Sequence, residues 1–290
     1  MSNLKGLGVA LVTPFNEDLS VDFDSLTKLI EFNIKNGTNY LVVLGTTAEA
    51  ATLSKEEKDA VTKHIIKINN KRLPLVLGIG GNNTMEVKKE IEESDLADFE
   101  AILSVSPYYN RPNQEGLYQH YKVLAGIGKK IIIYNVPSRT GQNIEASTTL
   151  RLAKEFPNLM MIKEAAPNIL QYFDILRQKP ENFNLVSGDD EYTLPVTLAG
   201  GNGVISVIGQ GYPKEFSTMV QLAFDGKVKE AYEIHNKLVE ITRMIFAEGN
   251  PAGIKTVLAE LGIVKNFVRL PLVVATEELQ NKIKAQMATI

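Results

Sequence analysis

The chain has 290 residues, of which 44% are hydrophobic and 22% are charged, a composition that predicts one large folded domain with at most a modest appendage. Its 31 basic and 34 acidic residues give a net charge of −3 without any basic block, so neither nucleic acid nor an anionic membrane is an expected partner. The lack of cysteine excludes disulfides, thiolate catalysis and cysteine metal sites.

The first residues, Met1 to Lys5, lead into a strand-like segment without the apolar stretch of a signal peptide. No apolar run reaches the ~18 residues that a membrane-spanning helix needs. We therefore expect a soluble cytoplasmic protein.

Eight short aliphatic runs recur along the chain and predict β-strands. They lack the strict alternation of half-exposed strands, which favours parallel strands covered on both faces. In chain order the runs are Gly8–Val12, Tyr40–Leu44, Leu75–Leu77, Ala101–Val105, Ile131–Tyr134, Leu159–Ile162, Asn184–Val186 and Gly203–Val207.

Amphipathic segments between these runs predict helices with recognisable ends. The first helix is expected to begin near Asp22 and to stop at Gly37. Ser54 and Glu57 have the spacing of a capping box at the start of the second. A third is expected to begin near Asn83.

The alternation of strand and helix signals over about 220 residues predicts a (β/α)₈ TIM barrel. A doubly wound open sheet is the alternative, because alternation alone does not reveal whether a sheet closes. After Gly226 the strand signals stop and helical periodicity continues. We therefore predict a barrel over residues 1–226 and a small all-helical region over residues 227–290 that packs on it.

Lys163 stands at the end of the sixth strand run, where such a barrel places its active site. Burial disfavours the charged form of an amine, and a neutral amine can attack a carbonyl and form a Schiff base. The plain alternative is a solvated lysine at a strand end, paired with Glu164. Polar or small candidates also follow other strands, namely Thr46, Thr47, Tyr108, Tyr109, Tyr134, Arg139 and Gly188.

The types of these side chains suit carbonyl chemistry on a small carboxylate. Hydroxyl and backbone N–H groups from Thr46 onwards can hold a carboxylate, Tyr134 can transfer protons, and Arg139 can bind a second carboxylate. Each also has a structural alternative: an ordinary turn at residues 45–47, aromatic packing by Tyr134, and a surface ion pair for Arg139. Their joint occurrence at successive strand ends favours the functional interpretation.

At these residues the chain resembles the class I pyruvate aldolase family related to N-acetylneuraminate lyase, and within it the dihydrodipicolinate synthases. The resemblance extends from Ala10–Phe15 through Gly203–Val207 to Leu270–Pro271. Thr46-Thr47 is the synthase form of a segment that is Ser-Thr in the lyases. The segment Tyr134–Gly141 contains an arginine that the lyases lack.

The resemblance implies a lyase of lysine (diaminopimelate) biosynthesis that condenses pyruvate with L-aspartate 4-semialdehyde. Lys163 would form the pyruvate imine, so that no other cofactor and no metal is needed. Tyr134, Thr46 and Tyr109 would relay protons. Tyr109 would reach into the site of a neighbouring subunit, which implies a dimer as the working unit and a homotetramer as the common assembly.

The same resemblance implies the substrate contacts. Thr47 would hold the pyruvate carboxylate, and the Ile205 backbone and Gly188 would line the pyruvate site. Arg139 would bind the carboxylate of the semialdehyde. Ala48 in place of a glycine, and a less proline-rich segment at Glu248–Gly253, depart from the family pattern without removing a catalytic group.

Many members of the family bind L-lysine as a feedback inhibitor at the dimer interface, and this chain retains part of that site. The candidate residues are Asn82, Glu86, Tyr108 and Ala51. Ala50, Lys55 and Lys58 stand where strongly inhibited bacterial members have a serine and two histidines. Because added cations repel a cationic ligand, we predict weak or absent inhibition by lysine.

Two other enzymes are weighed against this assignment. A sister aldolase acting on N-acetylneuraminate or a sugar keto acid is disfavoured by Thr46 and Arg139. A metal-dependent aldolase is disfavoured because His64, His120 and His235 lie singly on predicted helices, without the spacing of metal ligands.

A non-catalytic binding protein on the same barrel is the alternative from another class, and it would lack one of Lys163, Tyr134 or Thr46. The segment Gly78–Asn82 resembles a phosphate loop, but the Gly-Lys-Ser/Thr that should follow is absent. We interpret it as a tight strand-to-helix turn.

Overall fold

The computed structural model describes residues 4–290, in which eight parallel strands form a closed barrel. All eight predicted strands and their order are confirmed. The open-sheet alternative is wrong, because β8 pairs with β1. The strands are β1 Gly6–Ala10, β2 Tyr40–Val43, β3 Leu75–Gly78, β4 Ala101–Val105, β5 Ile131–Asn135, β6 Leu159–Glu164, β7 Asn184–Ser187 and β8 Gly203–Ser206.

Helices follow the strands and surround the barrel. Short 3₁₀ turns at Thr46–Ala48, Ala50–Thr52 and Ile208–Gln210 lie close after β2 and β8. The helices are α1 Phe23–Lys35, α2 Lys55–Asn69, α3 Thr84–Glu93, α4 Gln114–Ala125, α5 Pro137–Thr140, α6 Ala146–Glu155, α7 Ile169–Gln178, α8 Thr193–Leu198, α9 Pro213–Phe224, α10 Val228–Phe246, α11 Ala252–Glu260 and α12 Glu277–Met287.

The predicted helix starts are confirmed by side-chain caps. The Asp22 carboxylate accepts the Ser25 N–H at 3.0 Å. Ser54 and Glu57 form a complete capping box on α2, and Asn83 caps α3. These caps satisfy N–H groups that have no partner inside the helix, and so they fix where each helix leaves the barrel rim.

Two hydrophobic clusters divide the core. The larger one lies between the strands and the helices, and a smaller one fills the barrel interior. Met161 and Tyr134 belong to the interior cluster, whereas Ile162 belongs to the outer one. Since successive strand residues face opposite sides, Lys163 faces the interior and Glu164 faces the helices.

The C-terminal helices share the outer core with the barrel. Leu238 and Ile241 of α10 and Val257 and Leu258 of α11 are buried in the same cluster as the barrel helices. The division of the chain at residue 226 stays a prediction. Within residues 4–290, no helix combines the length and the apolar character needed to cross a bilayer.

The barrel closes at a pair of glycines. Gly203 of β8 pairs with Gly6 of β1, and their φ angles are +108° and +96°. A Cβ on Gly203 would lie 2.1 Å from the Gly6 carbonyl oxygen. The two strands therefore meet at a distance that only a residue without a side chain permits at this position.

A buried polar network holds the ends of β5 and β6 together outside the barrel. The Asn135 amide donates to both Glu164 oxygens at 2.8 and 3.0 Å, and the Gln171 amide and the Ala166 N–H donate to Glu164 at 2.8 and 2.7 Å. Burial raises the pKa of the Glu164 carboxyl to about 7, although these donors oppose the shift.

Replacement of Gly203 by alanine tests the closure. Gly203→Ala should lower the free energy of unfolding by ~2 kcal/mol more than Gly200→Ala, because the added Cβ collides with backbone. Gly200 is the matched control, since its φ is +101° but open space surrounds its Cβ position. Denaturant titration measures both variants. Equal losses would mean that backbone conformation alone, and not the contact across the seam, requires glycine.

Glu164→Gln tests the network through its pH dependence. The folded carboxyl keeps its proton up to about pH 7, whereas an ordinary one loses it near 4.5. The contribution of the Glu164 carboxyl to the free energy of unfolding is therefore complete below pH 4.5 and is lost as the pH rises through 7. At 1.36 kcal/mol per pKa unit, roughly 3 kcal/mol is at stake.

Urea titrations across this pH range should show the stability of the Glu164→Gln variant increasing relative to the parent as the pH rises. The matched control is the same titration of Glu181→Gln, which removes an exposed carboxyl instead of the buried one. Parallel profiles for Glu164→Gln and the parent would contradict the buried-carboxyl interpretation.

Candidate active site

Lys163 and Tyr134 lie side by side at the C-terminal ends of β6 and β5. They are register partners, and the two residues are only 5% and 6% exposed. Lys163 Nζ lies 4.1 Å from the centroid of the Tyr134 ring. The alternative of a solvated Lys163 paired with Glu164 is wrong, because Lys163 is buried and Glu164 faces the outer network. The amine is therefore held in the barrel interior, next to a phenol.

Gly188 gives the Lys163 side chain its space. A Cβ at Gly188 would lie 2.9 Å from Lys163 Cε and 2.7 Å from the Ala165 Cβ. The Gly188 N–H donates to the Glu164 carbonyl at 2.6 Å, which ties the loop after β7 to the end of β6. The missing side chain at Gly188 leaves room along the amine-bearing chain.

Thr46 and Thr47 form the start of the 3₁₀ turn that follows β2. Thr46 is exposed, and Thr47 is buried with its Oγ1 accepting the Asn250 Nδ2–H at 2.9 Å. The first N–H groups of a helical turn have no carbonyl partner within the turn. The segment therefore presents both hydroxyl and N–H donors near the rim.

Arg139 lies on the short helix α5 after β5, and its side chain is exposed. Its Nη2 lies 3.5 Å from the Asn250 carbonyl oxygen. Asn250 thus contacts both Thr47 and Arg139, the two residues predicted to bind carboxylates. Asn250 was not predicted from the sequence, although it lies in the segment Glu248–Gly253 that was noted as a departure from the family pattern.

Tyr108 and Tyr109 follow β4 on an exposed loop. Tyr109 is 90% exposed and has a φ of +72°, a backbone conformation that a bulky residue rarely adopts. A single chain does not pack this ring against the buried Lys163. The predicted relay from Tyr134 through Thr46 to Tyr109 therefore stays a prediction, and Tyr109 is free to contact another molecule.

β8 and the loop after β7 form a further part of the rim. Ile205 is fully buried in the interior cluster and pairs with Gly8. The Asp190 carboxylate accepts the Val207 and Ile208 N–H groups at 3.1 and 3.0 Å. Burial raises the pKa of Asp190 to about 6. Asp190 thus fixes the backbone just beyond Ile205.

The candidate lysine-feedback residues lie on loops and helix starts at the same end of the barrel. Glu86, Tyr108 and Ala51 are exposed and Asn82 is half-buried. The Asn82 carbonyl accepts the Asn110 amide at 2.9 Å, which joins the loops after β3 and β4. Whether these residues form one lysine site stays a prediction.

The three histidines lie on separate helices, as predicted: His64 on α2, His120 on α4 and His235 on α10. His120 contacts the Thr84 hydroxyl at 2.9 Å, and burial lowers its pKa to about 4. Among residues 4–290, no group of three or more His, Asp and Glu side chains is arranged to hold a metal ion.

Comparison with known proteins agrees with this geometry. The model of the dihydrodipicolinate synthetase family matches residues 3–290. The 4-hydroxy-tetrahydrodipicolinate synthase of Flavobacterium psychrophilum is 56% identical over 279 residues, which cover 96% of this chain and 95% of the relative. That of Parabacteroides distasonis is 51% identical over 272 residues, with coverage of 93% and 92%.

A solved structure extends the similarity to three dimensions. The chloride-inhibited dihydrodipicolinate synthase from Acinetobacter baumannii, complexed with pyruvate, is 38% identical and has a TM-score of 0.95, with 99% of this chain and 98% of that chain covered. Fold and sequence therefore agree over nearly the whole chain. The chain belongs to the dihydrodipicolinate synthetase family.

Proposed function

We propose that this protein catalyses the condensation of pyruvate with L-aspartate 4-semialdehyde to 4-hydroxy-tetrahydrodipicolinate, a step of lysine biosynthesis. The observation that carries this proposal is the buried Lys163 amine, 4.1 Å from the centroid of the Tyr134 ring. An amine enclosed in a barrel and placed beside a proton-transferring phenol is suited to forming a Schiff base with a small keto acid.

The chemistry begins at Lys163 Nζ. The amine attacks the keto carbon of pyruvate, and loss of one water gives the imine. Loss of a methyl proton then gives the enamine, whose carbon attacks the aldehyde carbon of the semialdehyde. Finally the amino group of the semialdehyde attacks the imine carbon and displaces Lys163, which closes the ring and regenerates the free amine. Tyr134 is the group next to the amine that passes protons in these steps.

The carboxylates of the two substrates are assigned to different loops. Thr47 and the backbone of the turn it starts bind the pyruvate carboxylate, and Ile205 and Gly188 line the pyruvate site. Arg139, exposed at the rim, binds the carboxylate of the semialdehyde. Holding both anions beside one amine supplies the orientation that a carbon–carbon bond-forming step needs.

Tyr109 completes the proton relay in a neighbouring subunit. Support comes from its 90% exposure and its φ of +72°, which together present a large ring away from its own chain. The proposed assembly is a homotetramer built from such dimers.

Residues 1–226 form the barrel that carries the site, and residues 227–290 form the supporting helical region. We place the enzyme in the cytoplasm, with the covalent pyruvate imine as its only cofactor-like group.

Trapping with borohydride tests the role of Lys163. With pyruvate present, reduction followed by peptide mass mapping should place the adduct on Lys163, because reduction makes the imine bond permanent. Lys163→Arg should give no adduct and no synthase activity while keeping the circular dichroism of the parent. Tyr134→Phe should lower kcat by about 10²–10⁴-fold, the usual loss when a general acid–base group is removed.

The same preparation should condense pyruvate with L-aspartate 4-semialdehyde and leave N-acetylneuraminate uncleaved. An adduct on any other lysine, or none, would exclude the proposed mechanism. Cleavage of N-acetylneuraminate without condensation would assign the barrel to the sister aldolases instead.

Feedback by L-lysine should be weak or absent, because Lys55 and Lys58 lie in the first turn of α2, which begins four residues after the candidate residue Ala51. Replacing both with histidine should lower the inhibition midpoint at least roughly fivefold, since a like charge about 4 Å away costs ~1 kcal/mol even in water. Lys67→His, in the last turn of the same helix, is the control. A low-micromolar midpoint for the parent would contradict the expectation.

A further inference from the structure

A buried ion pair connects the loop after β2 with the C-terminal helical region. Lys255 on α11 is 0% exposed and Glu49 is 4% exposed. Lys255 Nζ donates to Glu49 Oε1 at 2.6 Å and to the Phe267 carbonyl at 2.8 Å. The other carboxylate oxygen of Glu49 accepts the backbone N–H of Arg269 at 2.9 Å. Glu49 is thus anchored to two separate segments of the C-terminal region.

Burying this ion pair costs free energy, because both charges lose their contact with water. Burial lowers the pKa of Lys255 to about 8, against the opposing effect of Glu49. Two buried charges gain little stability over apolar side chains of similar size, whereas either charge left alone is strongly unfavourable. Stability alone therefore does not explain why an ion pair is buried here. The segment to which Glu49 belongs indicates its role.

Glu49 ends the turn that carries the carboxylate-binding threonines. Its N–H donates to the Thr46 carbonyl at 3.1 Å, and its φ of +55° lies in the left-handed region. The preceding Ala48 carbonyl accepts the Thr13 hydroxyl at 2.7 Å, and Thr47 accepts the Asn250 amide. A left-handed glutamate is unfavourable unless its surroundings hold it, and the bonds to Lys255 and Arg269 do so.

We propose that Glu49 and Lys255 are positioning residues, through which the C-terminal helical region sets the Thr46–Thr47 turn in the orientation that receives the pyruvate carboxylate. This inference rests on the pyruvate chemistry proposed above. It gives the C-terminal region a part in substrate binding, although none of the predicted catalytic residues lies there.

Three variants separate positioning from stability. Glu49→Gln and Lys255→Met each break the pair, and Glu49→Leu/Lys255→Met replaces both charges with apolar groups. The single variants should raise KM for pyruvate at least tenfold while changing KM for the semialdehyde less than threefold. The double variant should regain stability in denaturant titrations, because no unpaired charge remains, but should keep the high KM for pyruvate.

Glu57→Gln is the matched control. Glu57 lies on α2, beyond the threonine turn, and pairs with the guanidinium of Arg269, so its loss leaves the bond from the Arg269 backbone N–H to Glu49 in place. Its loss should leave KM for pyruvate unchanged. If it raises KM for pyruvate as much as Glu49→Gln does, general loosening of the C-terminal region explains the effect and the inference fails.

An unchanged KM for pyruvate in the single variants, or a parental KM in the double variant, would show that the pair is merely structural. Should a single variant fail to fold, the double variant alone decides between these outcomes. Failure of the proposed function is distinguishable, because the parent itself would then form no borohydride-trapped adduct with pyruvate.

Discussion

Closure of the sheet at β1 and β8 is the constraint on which the site depends. The strands meet through Gly203 and Gly6, where a Cβ on Gly203 would collide with the backbone of Gly6. Once the sheet closes, the C-terminal ends of all eight strands point to one rim. Residues far apart in the chain, such as Thr47 and Asn250, then come within hydrogen-bonding distance. The arrangement of functional residues at this rim is therefore a consequence of closure. In an open sheet of the same strands these residues would lie far apart.

The alternation of side chains along β5 and β6 separates two polar environments that adjoin in sequence. Tyr134 and Lys163 face the interior, and their neighbours Asn135 and Glu164 face the helices. The outer pair is fully hydrogen-bonded and locks the two strands in register. The inner pair is thereby held in place without a carboxylate beside the amine. A one-residue slip would exchange the two environments and bury the acid where the keto acid must enter.

Much of the fold could be predicted from the sequence, because its signals are local. Aliphatic runs, the capping box at Ser54 and the stop at Gly37 each report on a few neighbouring residues, and the structure reproduces them. Lys163 could be singled out for the same reason, as an amine at the end of an apolar run.

Closure and the pairing of distant residues are not local. The contact of Asn250 with Thr47 and the buried Glu49–Lys255 pair join residues about two hundred positions apart, and no periodicity encodes them. A lysine within the apolar stretch Gly253–Leu258 was the one local sign that a buried partner existed.

In the proposed mechanism one interior amine, that of Lys163, binds one keto acid whose carboxylate rests on the Thr46–Thr47 turn. A crystal structure of the protein soaked with pyruvate tests both the covalent link and the carboxylate contact. Continuous electron density should run from Lys163 Nζ to the keto carbon, with the carboxylate oxygens within hydrogen-bonding distance of Thr47 and the turn it starts. Pyruvate bound without a covalent link to Lys163, or with its carboxylate directed away from that turn, would exclude this mechanism.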